Sequence, residues 1–227
     1  MKKIVLFGCG AGADTATRYI RSDKDDTICA YTVDARYLPG PQFKGLPVVP
    51  FEEVERRYPP EDHLLFIPLG YESMNHLRAE KYSQAKKKGY TLYSYISSKS
   101  FLHQSVECGE NCFILEGQCI NFDVKIGNNV VLWSGNHIGD RTVIGDHVWL
   151  SSHVTVAGDV SIKDHCFLGS NSTVSNRVVL EPETFVGATC FITSHTKKGS
   201  VYLREGSKPS HDNSLEFLKV LQAAQKM

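Results

Sequence analysis

The sequence predicts an α/β Rossmann-like N-terminal domain followed by a left-handed parallel β-helix and a short C-terminal helix. Two observations carry this prediction. An aliphatic residue recurs every six positions from Ile114 to Ile192. Before that stretch, short apolar runs typical of buried strands alternate with segments typical of helices, which indicates a parallel α/β sheet.

The six-residue repeat identifies the second unit. Neither the two-residue period of a strand nor the 3.6-residue period of a helix produces it, whereas a coil with three flat faces does, so the repeat indicates a β-solenoid. Positions two residues earlier are often apolar, and the next residue is often small, which is the hexapeptide signature of a left-handed parallel β-helix. Three hexads make an 18-residue coil, so residues 18 apart stack about 4.8 Å from each other. A β-sandwich with accidental spacing is the alternative. The repeated aliphatic residues are Ile114, Ile120, Ile126, Leu132, Ile138, Ile144, Leu150, Val156, Ile162, Leu168, Val174, Leu180, Val186 and Ile192.

The N-terminal part divides into alternating elements. We predict strands at residues 4–7, 27–33, 46–49, 64–68 and 90–96, and helices at residues 13–21, 51–57 and 75–88.

The composition changes at Ser97-Ser98-Lys99-Ser100, and the hexads end before Lys197-Lys198-Gly199-Ser200. We therefore predict three parts, 1–97, 98–205 and 206–227. We expect a helix at residues 214–225 to cap the end of the solenoid, since an open sheet edge invites pairing with another chain.

Composition excludes several classes of function. Lys plus Arg equals Asp plus Glu at 25 each, so no net field favours nucleic acid or an anionic membrane. Seven scattered cysteines form neither a disulfide framework nor a paired zinc motif. The apolar run at residues 4–7 is too short for a signal peptide or a membrane span. We expect a cytoplasmic protein without membrane insertion.

The first candidate site is the glycine turn after the first strand. Gly8, Gly10 and Gly12 precede a helix, so their backbone N–H groups and the helix N-terminus can approach a phosphate. Asp34, at the end of the second strand, is placed to accept hydrogen bonds from a ribose or a base. The spacing is not GxGxxG, and a tight turn without a ligand is the alternative. The short domain favours a mononucleotide over a dinucleotide.

The second candidate site lies in the solenoid. Because Ile138 points inward, His137 and Asp140 should point outward near a corner, and the 18-residue rule stacks Asp140 against Gly158. A proton acceptor beside a backbone N–H that faces a carbonyl oxygen is what acyl transfer needs. A solvated corner residue is the alternative for Asp140.

Three histidines, His147, His153 and His165, share one phase of the hexad, and the first and last are 18 apart. They are candidate metal ligands of a β-helical metalloenzyme. A surface column of polar residues is the competing interpretation, and we expect no metal.

Nearly the whole chain resembles the bacterial nucleotide-sugar N-acetyltransferases, similar to the bacillosamine and perosamine enzymes and, more distantly, to the sialic-acid O-acetyltransferase group. The resemblance implies a homotrimer with acetyl-CoA in the groove between neighbouring β-helices. It implies that Gly8 and its loop hold the phosphates and Asp34 the base, and that the Gly158 amide receives the acetyl carbonyl. We also assign Asn136 to the nucleotide-sugar site and Gly187, with Gly158, to the acetyl-CoA site.

The chain departs from this family at the expected base. The family places a His, often followed by Glu, five residues before the Gly of the next Ile-Gly pair, where this chain has Asp140 and Arg141. Either Asp140 or His137 accepts the proton, or the enzyme works by positioning, which alone is worth about 7 to 11 kcal/mol. The glycine loop also lacks the His that the family often carries there.

An amine needs less activation than a hydroxyl, so these departures favour N-acetylation. The resulting hypothesis is transfer of acetyl from acetyl-CoA to an amino group, at C-4, of a UDP-, dTDP- or GDP-linked amino-dideoxysugar for capsule, O-antigen or glycan synthesis. A sugar O-acetyltransferase and a catalytically silent nucleotide-sugar-binding protein are the alternatives.

Overall fold

The computed structural model describes residues 1–207 and 213–224 of the 227-residue chain, with side chains up to residue 219. It has the predicted class, an α/β N-terminal domain joined to a left-handed parallel β-helix. In the N-terminal sheet the strand order is β3-β4-β2-β1-β5. Its strands are β1 (Lys3–Phe7), β2 (Thr27–Val33), β3 (Gln42–Phe43), β4 (Leu46–Pro50) and β5 (Leu64–Phe66). Its helices are α1 (Ala11–Asp23), α2 (Val54–Arg57) and α3 (His76–Lys87), with 3-10 turns at Ala35–Tyr37 and Phe51–Glu53.

Two N-terminal predictions were wrong. The sheet is not wholly parallel, because the short strand β3 pairs antiparallel with β4 across a two-residue turn. The segment 90–96 is not one continuous last strand, because it pairs with this sheet only around Leu92, where the Tyr93 amide donates to the Leu65 carbonyl at 2.8 Å. Leu92 makes a single bridge to Leu65, and Tyr95–Ile96 (β6) then pairs with the first coil of the solenoid. The reason is packing, since Ile96 contacts the solenoid core.

Each coil of the solenoid contributes one two-residue strand to each of three parallel sheets, which we call faces one, two and three. Face one contains β6 (Tyr95–Ile96), β9 (Phe113–Ile114), β12 (Val131–Leu132), β15 (Trp149–Leu150), β18 (Phe167–Leu168), β21 (Phe185–Val186) and β23 (Val201–Tyr202). Face two contains β7 (Phe101–Leu102), β10 (Cys119–Ile120), β13 (His137–Ile138), β16 (Thr155–Val156), β19 (Thr173–Val174) and β22 (Phe191–Ile192). Face three contains β8 (Glu107–Cys108), β11 (Lys125–Ile126), β14 (Val143–Ile144), β17 (Ser161–Ile162) and β20 (Val179–Leu180).

The hexad residues fill the coil interior as predicted. All fourteen repeated aliphatic residues are buried in one core, and partners in adjacent coils are 18 residues apart, as in Ile120 with Ile138. The small residue after each aliphatic has a steric reason. A side chain on Gly139 would lie 2.6 Å from the Gly158 nitrogen in the next coil. The chain then turns two residues later, where a column of non-glycine residues including His147 and His165 adopts φ near +60°.

Face one is covered by the N-terminal domain. Its outward column is Phe113, Val131, Trp149, Phe167 and Phe185. These side chains share an apolar cluster with the first domain, for example with Phe66 of β5, whose ring centroid lies 5.5 Å from that of Phe113. The two units therefore meet across an extended apolar contact, and the orientation of the N-terminal domain on the solenoid is fixed by packing.

A fully buried arginine joins helix α3 to this contact. Arg78 donates to the Asn129 side chain at 3.1 Å and to the carbonyl oxygens of Asn129, Leu69 and Gly70, and its guanidinium lies 5.4 Å from the Trp149 ring centroid. Burial lowers the pKa of Arg78 to about 9, which leaves it charged at neutral pH. The charge is stabilised by this set of oxygen acceptors.

The C-terminal segment contains helix α4 (Ser214–Ala224). Its described side chains, residues 214–219, are all exposed, so this part of it does not cover the end of the solenoid as we expected. Residue 225 of the predicted helix lies outside the described residues. Within the part of the chain that the structure describes, no helix combines the length and apolar composition that a membrane crossing requires.

Candidate functional site

The glycine turn brings a helix N-terminus to the carboxyl end of the N-terminal sheet. Gly8 has φ of +110° and donates to the Thr32 carbonyl at 2.8 Å, which continues the pairing of β1 with β2 into the turn. The first N–H groups of a helix have no partner within the helix. Helix α1 starts at Ala11 without a side-chain cap, so its N-cap residue does not supply an acceptor for these groups either. Gly12 allows the helix to approach the loop after β5, because a side chain there would overlap the Pro68 carbonyl oxygen.

A cavity of about 470 Å³ opens in front of this turn. One wall is the backbone of Gly8, Gly10 and Gly12, and the opposite wall comes from face one of the solenoid. A helix N-terminus facing a cavity favours an anionic group such as a phosphate. The structure therefore brings the three predicted glycines together at a place where a ligand fits between the two domains.

Asp34 faces a different cavity. It lines a depression of about 760 Å³ together with Arg36, Glu52 and Lys88. Its carboxylate accepts a 2.6 Å hydrogen bond from Lys81, and both side chains are largely buried, with 13% and 9% of their surface exposed. A base that bound to Asp34 would compete with Lys81, so the role of Asp34 stays a prediction.

His137 and Asp140 are on the outer side of the solenoid, as predicted, and neither lines the glycine-turn cavity. His137 is exposed on face two between Cys119 and Thr155 of the adjacent coils. One oxygen of the Asp140 carboxylate accepts a hydrogen bond from the Phe122 amide at 3.2 Å, in the coil on the side away from Gly158.

Asp140 and Gly158 stack one coil apart, as the 18-residue rule predicts. The Asp140 carbonyl accepts from the Asp159 amide at 2.8 Å. Among residues 1–207 and 213–224, the Gly158 amide donates no hydrogen bond, which leaves it able to donate to a carbonyl oxygen. Arg141, the residue in the family's Glu position, is paired with Asp159 at 2.7 Å.

Two other predicted residues have structural roles in the solenoid. Asn136 is buried, donates to the Trp133 carbonyl at 2.5 Å and accepts from the Val154 amide at 2.7 Å. Gly187 is buried and its amide donates to the Tyr202 carbonyl at 2.8 Å. The contacts of Asn136 with the nucleotide sugar and of Gly187 with acetyl-CoA stay predictions. Each would require the residue to share or break the hydrogen bonds that it makes within the solenoid.

The three histidines do not meet. The His147 and His165 rings are tilted by 37° with centroids 4.9 Å apart, and His76 of α3 stacks on His165 at 4.1 Å. His153 lies at another corner, where its ring covers Gly135. The pair is half-buried beneath α3 rather than forming a surface column. In the described ranges, no three His, Cys, Asp or Glu side chains are arranged to hold a metal ion.

Sequence reasoning missed the aromatic wall of the glycine-turn cavity. Trp133 and Trp149 come from the solenoid and Tyr71 from the loop after β5. The signal was present, because Phe113, Trp149, Phe167 and Phe185 occupy one outward column at multiples of 18, and Trp133 stands where the hexad otherwise prefers a small residue. A column of outward aromatic residues indicates a covered face.

The comparisons with known proteins agree with this architecture. Residues 141–176 match the family model described as bacterial transferase hexapeptide (six repeats). No curated protein sequence matches the chain. Among solved structures, PerB, the perosamine N-acetyltransferase of Caulobacter crescentus, was solved with CoA and GDP-perosamine. It is 24% identical, with a TM-score of 0.78 over 88% of this chain and 93% of that chain.

Two further structures are similar over the same share of this chain. The acetyltransferase domain of PglB from Neisseria gonorrhoeae is 14% identical with a TM-score of 0.74, and WeeI from Acinetobacter baumannii is 16% identical with a TM-score of 0.73. The matches cover 88% of this chain and 96% of each of those chains. The chain therefore carries the bacterial transferase hexapeptide repeat, and it shares its two-part fold with these three structures.

Proposed function

We propose that this chain is an acetyl-CoA-dependent N-acetyltransferase that acts on the amino group, at C-4, of a nucleotide-linked amino-dideoxysugar. The observation that carries the proposal is the cavity of about 470 Å³ between an uncapped helix N-terminus and a hexapeptide solenoid. It combines a phosphate-binding element with the repeat of bacterial transferases in one chain. The similar fold of PerB, a structure with CoA and GDP-perosamine, supports the same assignment.

The chemistry assigned to the solenoid is acyl transfer. The sugar amine attacks the thioester carbonyl carbon, a C–N bond forms, and the C–S bond breaks to release CoA as a thiolate. The Gly158 amide, which has no partner in the described residues, donates to the oxyanion of the tetrahedral intermediate. Asp140 or His137 accepts the proton from the nitrogen, and the thiolate finally takes up a proton.

The position of these residues has a consequence for assembly. His137 and Asp140 do not line the glycine-turn cavity of their own chain, so the sugar and the acyl group meet only if another copy brings its solenoid close. Phe101, Phe122 and Phe191 on face two and its following corner are each more than half exposed, as expected of a surface that another copy covers. We include a homotrimer in the proposal.

The proposal places the enzyme in the cytoplasm, in a route to capsule, O-antigen or glycan. Seven free thiols suit a reducing compartment. Acetyl-CoA and the nucleotide sugar are the partners, with UDP, dTDP and GDP as candidate nucleotides.

The test is release of free CoA thiol from acetyl-CoA in the presence of UDP-, dTDP- and GDP-linked 4-amino-4,6-dideoxysugars. We expect release with one of the three, and none with the matching sugar that carries a hydroxyl at C-4. Release only with the hydroxyl sugar would establish O-acetylation instead. Nucleotide-sugar binding without thiol release from any substrate would identify a catalytically silent binding protein.

A further inference from the structure

The wall of the glycine-turn cavity opposite the turn is aromatic. Trp133 and Trp149, the only two tryptophans in the chain, both line it, with ring centroids 6.0 Å apart. Tyr71, in the loop after β5, completes this aromatic group, and its ring centroid lies 5.1 Å from that of Trp149. Aromatic surfaces of this kind bind flat apolar faces of ligands, while a phosphate is held at the opposite wall.

The charges around the cavity limit what the aromatic wall can bind. Among the described residues that line it, none is Lys, Arg or His, and Glu72 is the one acidic side chain. The anion-binding element is therefore confined to the backbone of the glycine turn. At the aromatic side, a ligand meets π faces and one carboxylate, which together suit an apolar group that carries a positive charge.

The charge of this wall decides which half of a nucleotide sugar lies there. The sugar half carries an amine that is protonated in the free substrate, and Glu72 is the one charged side chain among the described residues that line the cavity. The ammonium group of the sugar therefore suits this side of the cavity, whereas the base, which carries no positive charge, lies on the other side of the pyrophosphate. This step rests on the proposed function.

We propose that Trp133, which packs against the buried Trp149, binds the C–H face of a 6-deoxysugar and that Glu72 pairs with its ammonium group, so that these residues select an amino-deoxysugar over a hydroxyl sugar. The wall is held in place from behind. Arg78 lies against Trp149 and donates to the Leu69 and Gly70 carbonyls of the loop that leads to Tyr71 and Glu72.

The experiment measures binding without turnover. Calorimetry gives the affinity of the full-length protein for UDP, dTDP and GDP, for the corresponding 4-amino-4,6-dideoxysugar nucleotides and for their 4-hydroxy counterparts. Tryptophan fluorescence excited at the red edge, where nucleotides absorb little, then reports whether the ligand reaches the wall. We expect the amino-sugar nucleotide to change the fluorescence more than the free nucleoside diphosphate and to bind about tenfold more tightly.

Three variants separate the contributions. In Trp133→Ala we expect about a tenfold loss of affinity for the sugar nucleotide and none for the nucleoside diphosphate, whereas Trp133→Phe should retain most of it. In Glu72→Gln we expect about a threefold loss for the amino sugar and none for the hydroxyl sugar, since the exposed carboxylate makes a modest ion pair. Glu53→Gln, at an exposed carboxylate outside the cavity, is the matched control.

Failure of this inference is distinguishable from failure of the proposed function. If Trp133→Ala weakens the nucleoside diphosphate and the sugar nucleotide equally, the wall binds the base, and the inference is wrong while the function stands. Equal affinity of the unmodified protein for amino and hydroxyl sugars also refutes it. If no nucleotide or nucleotide sugar binds at all, the proposed function fails together with the inference. A change in melting temperature of a variant identifies a folding defect, and Trp133→Phe then decides the case.

Discussion

Protonation of His147 should destabilise the contact between α3 and the solenoid. Arg78 and Asn111 both donate to the Asn129 side-chain oxygen, at 3.1 and 2.7 Å. The Asn129 NH₂ group must therefore point to His147 Nδ1, 2.8 Å away. A proton on Nδ1 would face this donor, so the folded protein holds His147 neutral.

The electrostatic surroundings act in the same direction. Burial lowers the pKa of His147 from 6.5 to about 4, with further lowering by neighbouring His165 and by Arg78 and a partly opposing effect of Asp146 and Asp164. The unfolded chain thus binds this proton first as the pH falls. Stability is complete above pH 6.5 and declines as the pH falls from 6.5 toward 4.

The size of the effect follows from the two pKa values. Between pH 7.5 and pH 5 the shift corresponds to about 2 kcal/mol, and since the ring is only half-buried we expect about 1 kcal/mol after solvent screening. The assay is urea unfolding at both pH values for the unmodified protein and for His147→Gln, whose side-chain oxygen can accept the Asn129 hydrogen bond. The variant should lose about 1 kcal/mol less on acidification.

His137→Gln is the control for the substitution itself, because this histidine is exposed on face two and takes no part in the Asn129 hydrogen bond. Equal acid sensitivity of His147→Gln and the unmodified protein would show that the Asn129 hydrogen bond and burial do not keep His147 neutral in the folded protein.

The other predictions concern the two candidate sites. Gly12→Ala should lower the free energy of unfolding by about 1 to 3 kcal/mol, because the added methyl group overlaps the Pro68 carbonyl; an unchanged thermal midpoint would contradict this. Gly158→Pro removes the backbone N–H and should lower kcat for acetyl transfer by about 10² to 10³-fold if that N–H holds the oxyanion, whereas the control Gly158→Ala keeps the N–H, meets no atom closer than 3.4 Å and should retain its thermal stability and most of its activity. Asp140→Asn or His137→Ala, whichever removes the base, should reduce kcat by about 10² to 10⁴-fold in a thiol-release assay; normal rates in both variants would leave positioning as the mechanism.

Most of the fold was predictable because one signal dominates the solenoid. Every coil must place an aliphatic side chain inside at every sixth position from Ile114 to Ile192. This requirement is the same in each coil, so a single sequence is enough to recognise it. The prediction for segment 90–96 was wrong because strand propensity does not say which sheet a strand joins. Tyr95 and Ile96 pair with Phe113 and Ile114, which lie 18 residues later, so the 18-residue rule applied one coil before Ile114 would have assigned this strand to the solenoid.

The candidate sites were less predictable where their contacts have no regular spacing. The glycine turn is a local motif and lies where we expected it. The pairing of Asp34 with Lys81 joins residues 47 apart and does not follow from residue types. The hydrogen bond from the Phe122 amide to Asp140 joins residues 18 apart, as do those from the Asn128 amide to Asp146 and from the Asp146 amide to Asp164, so it follows from the stacking of the coils. The aromatic column on face one could have been found with the same 18-residue rule that predicts the interior.

The shared first coil also bears on how the chain folds. Asn111, at the first corner of the solenoid, accepts from the Ile67 amide at 2.8 Å and donates to the Ile67 carbonyl, while β6 extends face one at the same end. The N-terminal domain therefore supplies a template of aligned backbone groups on which the first coil closes, and this removes much of the cost of starting a structure in which each repeat is stabilised chiefly by its neighbours. Later coils contact the N-terminal domain chiefly through side chains such as Phe167 and His165, so we expect the first coil to form earliest.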